Sequence, residues 1–304
     1  VGFTAFAVLV LAFIPSNELN DDFIGYFDDS VVYRQDVDIT TERLTGAYQL
    51  QFSLDSGESN GVSDPAFLQR VGRFTDWLRL QPEVRHVNSI SDTFKRLNKN
   101  LHGDDPAYYR LPEDFDLAAQ YLLLYELSLP YGLDLNNQLN IDKSSTQVIV
   151  TLENMDSQSL LEVSARGEAW LRDNTPKMTA TGIGPAIMFA YISERNIKSM
   201  LVGTFLAVVL ISAIMVGVLR SPRLGTISLV PNLLPAGLAF GIWGMFVGEL
   251  NMAVSMVSGM TLGIVVDDTI HFLTKYKRGC IDQGLDAPDA VRYAFANVGQ
   301  AILV

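Results

Sequence analysis

The residues from Met252 to Leu273 form one apolar run, and two adjacent carboxylates, Asp267 and Asp268, interrupt it. At about 1.5 Å per residue such a run crosses a hydrocarbon core of roughly 30 Å as a single helix. An ionised Asp near the middle of a membrane helix costs about 2.5–3.5 kcal/mol on the insertion scale, so the pair needs a reason to be kept. The default reason is handling of an ion or a proton. A capping role fits poorly, because a capping Asp belongs at a helix start and these lie well inside the run. At about 100° per residue, Ser255, Gly259, Gly263, Asp267 and His271 make one slowly drifting stripe of small and polar groups. Gly259 and Gly263 are expected to admit a neighbouring helix, which turns the carboxylate into that contact and away from lipid.

Further apolar stretches surround this one. Spans are expected at about 200–219, 226–247 and 252–273, with the start of another at about 298–304. Pro231 and Pro235 lie one turn apart in the second of these and should kink it against protein neighbours, because each proline leaves a backbone carbonyl unpaired. Residues 1–15 are apolar but too short to span, and lack the basic start of a signal peptide. They are read as the end of a truncated membrane helix. With Val1 in place of a Met and an apolar helical pattern at Val304, the chain is expected to be a fragment. Arg220, Arg223, Lys275, Lys277 and Arg278 carry the positive charge beside the spans, whereas the intervening turn carries only Glu249. The basic segments should therefore be cytoplasmic, which places residues 16–195 outside the cytoplasm.

Charge divides the chain in the same way. Residues 15–195 carry 28 acidic and 15 basic side chains, and the remainder 6 and 7, so the net charge of −12 belongs to the water-facing part. Such an acidic surface is a poor nucleic-acid binder. Cys280 is the only cysteine, which excludes an internal disulfide. Residues 47–54 alternate as a half-buried strand, and Asp64-Pro65 opens a helix with Phe67, Val71, Phe74 and Leu78 on one face. Residues 84–90 make a second strand, closing one β-α-β unit. After a helical insertion, residues 147–152, 157–173 and 178–181 make a second unit. In the insertion, Leu117, Tyr121, Leu124 and Tyr125 fall on one face, expected to lie on a partner surface. The expected fold is thus a multi-pass α-helical membrane protein with an α+β domain of two β-α-β units over 16–184, and a membrane domain over 185–304.

The segments V-P-N-L-L-P (230–235), F-G-I-W-G-M (240–245) and G-I-V-V-D-D-T-I-H-F-L-T-K-Y-K-R (263–278) resemble the RND superfamily of exporters. The nearest branch is similar to the predicted lipid or hydrophobe exporters of MMPL type, which carry the sterol-sensing kind of membrane domain. The fragment resembles the C-terminal half of such a protein. The resemblance implies an inner-membrane efflux transporter, a porter-type extracytoplasmic domain, lipid or other hydrophobic substrates, and Asp267 and Asp268 as proton relay. It also implies relay groups on the missing half of the same transporter, and leaves a homo-oligomer open. No cofactor beyond the proton is implied.

Two adjacent carboxylates in a low-dielectric site cannot both stay charged cheaply, so one proton is expected to be held and exchanged between them. His271, one turn from Asp267, is placed to tune or relay it. Other chemistries fit less well. A sterol-sensing receptor that binds without pumping would use the same helices and is the main alternative. An intramembrane aspartyl protease needs its two acids on different helices, and the other spans contain none. Asp267 and His271 are too few ligands for a structural metal, and no phosphate-binding G-x-x-x-x-G-K-[ST] sequence is present.

Overall fold

The structure is a computed structural model describing residues 2–130 and 133–303. Its elements in chain order are α1 (Gly2–Leu11), β1 (Glu18–Leu19), α2 (Val32–Arg43), β2 (Tyr48–Asp55), α3 (Pro65–Arg79), β3 (Val84–Asn88), α4 (Ile90–Leu101), α5 (Phe115–Ser128), β4 (Ser145–Leu152), α6 (Ser157–Asn174), β5 (Gly182–Ile183), α7 (Pro185–Leu219), α8 (Pro222–Ile227), α9 (Leu229–Phe246), β6 (Glu249–Leu250), α10 (Met252–Asp282) and α11 (Ala287–Leu303). They form two compact units, one of residues 22–191 and one of the N-terminal residues up to Asp21 with those from Ile192 onward. The divide falls after Tyr191 and not at 184/185, because Ile187 and Ala190 in the first turns of α7 are buried in the core of the first unit.

In residues 22–191 the sheet order is β3-β4-β2-β5, with every neighbouring pair antiparallel. β2 and β3, joined through α3, therefore run parallel with β4 between them, and β4 and β5, joined through α6, enclose β2. This is the split arrangement, in which two β-α-β units interleave. Period-2 patterning sets its core. Leu50 pairs with Val150 and Phe52 with Val148, so these side chains share one face and are fully buried, while Gln51 and Gln147 meet on the other face through a 2.6 Å hydrogen bond. α3 starts where the sequence demands, with both Asp64 carboxylate oxygens accepting from Ala66 N and Phe67 N at 3.1 Å and Pro65 in its first turn. It covers the sheet with Phe67, Val71, Phe74 and Leu78, all buried. Fully burying one such side chain contributes about 1.5–3 kcal/mol. α6 comes so close that a Cβ on Gly167 would sit 2.6 Å from the Phe52 ring.

Three expectations for this unit are corrected. No strand forms over 178–181; pairing occurs at Gly182–Ile183 against Gln51 and Phe52, while Met178 is buried as a core side chain before the strand begins. The second strand stops at Asn88, because Ser89 caps α4 and Ile90 is already helical. In α5, Tyr121 is buried and donates its hydroxyl hydrogen bond to Asn98 Oδ1 at 3.0 Å, but Leu117 and Leu124 are exposed together with Leu123 and Leu127. Ala118, Tyr121 and Leu122 form the packed side instead.

The second unit is helical apart from the short parallel pairing of β1 with β6, in which Glu18 faces Glu249 and Leu19 faces Leu250. Among the described residues, three stretches are long and apolar enough to cross a membrane: Pro185–Leu219, Pro222–Phe246 and Met252–Asp282. The second is divided at Ser228 into α8 and α9. Pro231 has no N–H for the Ile227 carbonyl, so the helix restarts there. Pro231 thereby lies in the first turn of α9 and only Pro235 lies inside it, which leaves Pro235 as the interior break. α10 does not stop at Leu273 but continues to Asp282, carrying Lys275, Lys277 and Arg278 on helix and not on a loop. α11 runs unbroken from Ala287 to Leu303, so the helix begins well before the 298–304 at which the start of a further span was expected. Helix α1 ends at Leu11, and Pro15 lies in a single 3-10 turn after it.

Candidate functional site

α10 opens at Asn251, whose side-chain oxygen accepts from Val254 N at 3.0 Å. Its hydroxyls are satisfied within the helix: Ser255 Oγ donates to Asn251 O at 3.1 Å, Ser258 Oγ to Ser255 O at 2.7 Å, and Thr269 Oγ1 to Val265 O at 2.9 Å. Polar residues can therefore line a membrane helix without seeking outside partners. The buried positions are Ser255, Ser258, Leu262, Val266, Thr269, Leu273 and Gly279, the first six of them three or four residues apart and so tracing one face. Leu262 and Val266 pack on Val208 of α7 and Leu229 of α9, and Leu273 packs on Met215 and Leu219 of α7. Lys277 Nζ donates to the carbonyl of Leu219, so a cation satisfies an acceptor at the C-terminus of α7.

Asp267 and His271 lie on a different face. Asp267 Oδ1 is 3.5 Å from His271 Nε2, an i,i+4 pair with 72% and 63% of the side chains exposed. Asp268, about 100° further round, is half-buried. The stripe does not turn the acid into a helix contact among the described residues. A Cβ on Gly263 would meet nothing within 4 Å, and one on Gly259 would reach only Thr204 Oγ1, at 3.6 Å. The close packing assigned to these two glycines is thus absent among the described residues, because the larger Leu262 and Val266 hold the interface one residue round the helix. Among the described residues no three His, Cys, Asp or Glu side chains gather as a metal site.

Close packing occurs elsewhere, at glycines that the sequence reading passed over. On α9 a Cβ at Gly237 would lie 2.6 Å from Leu11 Cδ2, at Gly241 2.3 Å from the Val10 carbonyl oxygen, and at Gly244 2.4 Å from that of Phe13. Small residues let α1 and α9 approach backbone to backbone. The G-x-x-x-G-x-x-G spacing of residues 237–244 was legible in the sequence, its last two glycines within the F-G-I-W-G-M stretch. Asn232, between the two prolines of α9, and Ser212 on α7 are both buried polar side chains in the helical unit.

Spanning-length helices, one bearing an Asp pair with a neighbouring His, define a multi-pass membrane protein. The family profile described as "MMPL family" matches residues 70–304, well over half of the chain, and the chain belongs to that family of RND-type membrane transporters, which are not enzymes. No curated protein matches the chain.

Proposed function

We propose that this chain is part of a proton-motive-force-driven exporter of lipids or other hydrophobic compounds. Asp267 and Asp268 take up and release the coupling proton and His271 tunes the exchange. The observation that carries this reading is the uncovered Asp267–His271 pair, on the side of α10 away from the buried line that packs on α7 and α9. A carboxylate is not kept against lipid without a polar partner, so that face awaits groups from another part of the transporter. The missing half of the same protein is the partner we assign to it. Residues 16–195 form the extracytoplasmic porter-type part of an inner-membrane protein, with Lys275, Lys277 and Arg278 on the cytoplasmic side. The energetics suffice. At about 100 mV one inward proton releases roughly 2.3 kcal/mol, with about 1.4 kcal/mol more per pH unit, and each tenfold uphill step costs about 1.4 kcal/mol. One proton thus supports export against a gradient of about fortyfold on the potential alone and about four hundredfold with one pH unit added.

The test is gradient-driven flux of a fluorescent lipid in proteoliposomes holding the complete transporter. Asp267→Asn and Asp268→Asn should each reduce flux to the level seen without a pH gradient. Unchanged flux in the double variant would refute the mechanism, and hydrophobe binding without gradient-dependent flux in the wild type would favour a sensing receptor.

A further inference from the structure

The corner that joins α7 to α8 holds a cationic residue in a backbone conformation that suits glycine. Arg220 follows the last residue of α7 with φ +44°, in the left-handed region that only glycine enters without cost. Its N–H donates to Gly217 O at 3.2 Å, and the next N–H, of Ser221, reaches back to Val216 O at 3.3 Å. This pair of bonds is the common helix stop in which glycine takes the left-handed position. The turn alone would be better served by Gly, so the arginine side chain has a use that the backbone does not supply.

Packing makes the corner rigid. A Cβ on Gly225 of α8 would lie 2.2 Å from Val216 Cγ2 and 2.9 Å from the Val216 backbone, so α8 is pressed against the end of α7. Ser221 Oγ accepts from Leu224 N at 3.4 Å, and Ser228 Oγ donates to Gly225 O at 2.7 Å. Arg223 on α8 is thereby held close to Arg220 in the chain, and both are exposed. α10 brings a third cation: Lys277 Nζ donates to the carbonyl of Leu219, the residue before Arg220. An ammonium has two further N–H donors to offer. The ion pairs among the described residues of the helical unit are Glu194–Lys198, Asp267–His271 and Asp289–Arg292, so no carboxylate pairs with these three cations.

Depth and apolar surroundings name the ligand class. Met200–Leu219 carries no charge and is about 30 Å of helix, so Arg220 lies at the edge of the hydrocarbon, at the level of lipid phosphates. Val218, two residues before Arg220, is 64% exposed, and Ile227, one turn from Arg223 on α8, is 55% exposed. Cations and open aliphatic surface thus adjoin. A general bias of basic residues toward the cytoplasmic side accounts for the charge, but not for an arginine in glycine's place.

We propose that Arg220, Arg223 and Lys277 bind the phosphate of an anionic phospholipid of the surrounding leaflet, with its acyl chains along Val218 and Ile227. Guanidinium groups offer forked donors to phosphate oxygens, and the ammonium adds a point charge. A free phosphate would meet the same cations but gain nothing from the aliphatic surface. The site needs only that these helices cross a membrane, and is independent of proton-coupled export.

Native mass spectrometry of the whole chain in detergent, titrated with dioleoylphosphatidylglycerol, tests it. That lipid should bind more tightly than dioleoylphosphatidylcholine. Each basic side chain near an anionic leaflet contributes about fivefold in affinity, so Arg220→Gly with Arg223→Gln should weaken phosphatidylglycerol binding about thirtyfold. Arg220→Gly keeps the left-handed turn, and without added lipid it should unfold at the wild-type temperature or above, which separates lost binding from misfolding. Equal affinity of the wild type for the two lipids, or unchanged phosphatidylglycerol binding in the double variant, overturns the proposal. A lower midpoint for Arg220→Gly in the absence of lipid would show that the side chain serves the fold, and also overturns it. Displacement of phosphatidylglycerol by inorganic phosphate would show a site for a free anion and overturn the lipid assignment.

Discussion

The contact between α1 and α9 gives a direct comparison of one substitution in two settings. Gly→Ala inside a helix gains about 1 kcal/mol of propensity. At Gly263 nothing lies within 4 Å of the added methyl, so Gly263→Ala should be neutral to slightly stabilising. At Gly241 the same methyl would lie 2.3 Å from the Val10 carbonyl oxygen and 2.7 Å from Val10 Cγ1. The first of these is backbone and has no rotamer to change, so α1 must move away from α9. Overpacking of this kind costs about 1–3 kcal/mol, and separating the helices loses further dispersion contacts along Leu11 and Phe13. Gly241→Ala should therefore be about 1–3 kcal/mol less stable than Gly263→Ala, a drop of several degrees in unfolding temperature for a protein of this size. Thermal unfolding of both variants in one detergent measures it. A Gly241→Ala midpoint no lower than that of the wild type would refute the α1–α9 packing, and a Gly263→Ala midpoint as far below the wild type as that of Gly241→Ala would show the Asp267 face to be closely packed after all.

Two further predictions concern residues 22–191. The Glu83 carboxyl is held below the usual carboxylate range: burial pushes it up, but the hydrogen bond from Arg166 at 2.6 Å, a backbone hydrogen bond and the Arg166 charge together outweigh that. Its folded value being lower than its unfolded one, the pair contributes stability above the unfolded value, and loses it as pH falls through the folded value. Stability of the wild type relative to Glu83→Gln should be higher by at most about 1 kcal/mol at pH 7, because both side chains are partly exposed, and should converge with it in acid. Melting curves at several pH values check this, and a constant difference would contradict it. Asp64→Ala removes the cap from two N–H groups of α3 and should cost about 0.5–2 kcal/mol in denaturant unfolding, with Asp64→Asn recovering most of it.

Much of the α+β unit was legible because its signals are local. Alternation at Leu50, Phe52 and Leu54 fixes which face is buried, and Asp64-Pro65 fixes where α3 begins, whatever surrounds them. The pairing of strands is not local. Nothing in the spacing of residues 178–184 says that the last strand must wait for Gly182, where a Cβ would lie 2.1 Å from Ser164 Oγ and 2.8 Å from Leu50 Cδ1. That constraint exists only once α6 and β2 are in place. Likewise the α5 leucines read as an inward face from periodicity, yet Asn98 receives Tyr121 and so selects which side of the helix is packed.

In the helical unit the stripe through Ser255, Gly259, Gly263, Asp267 and His271 was correct as a periodicity and incomplete as a contact. A four-residue repeat drifts about 40° per step, so Ser255 at one end is buried while Asp267, three steps on, has rotated out of the interface. The buried line advances by steps of three or four residues and stays on α7 and α9. Gly263 and the carboxylate are therefore both carried out of the interface by drift, and the small residues near the acid do not cover it. Two different demands act on one helix: the 3-4 line holds α10 to its own bundle, and the drifting line delivers charge to a surface this bundle leaves open. A charged group delivered to such a surface in lipid requires a complementary polar surface from elsewhere.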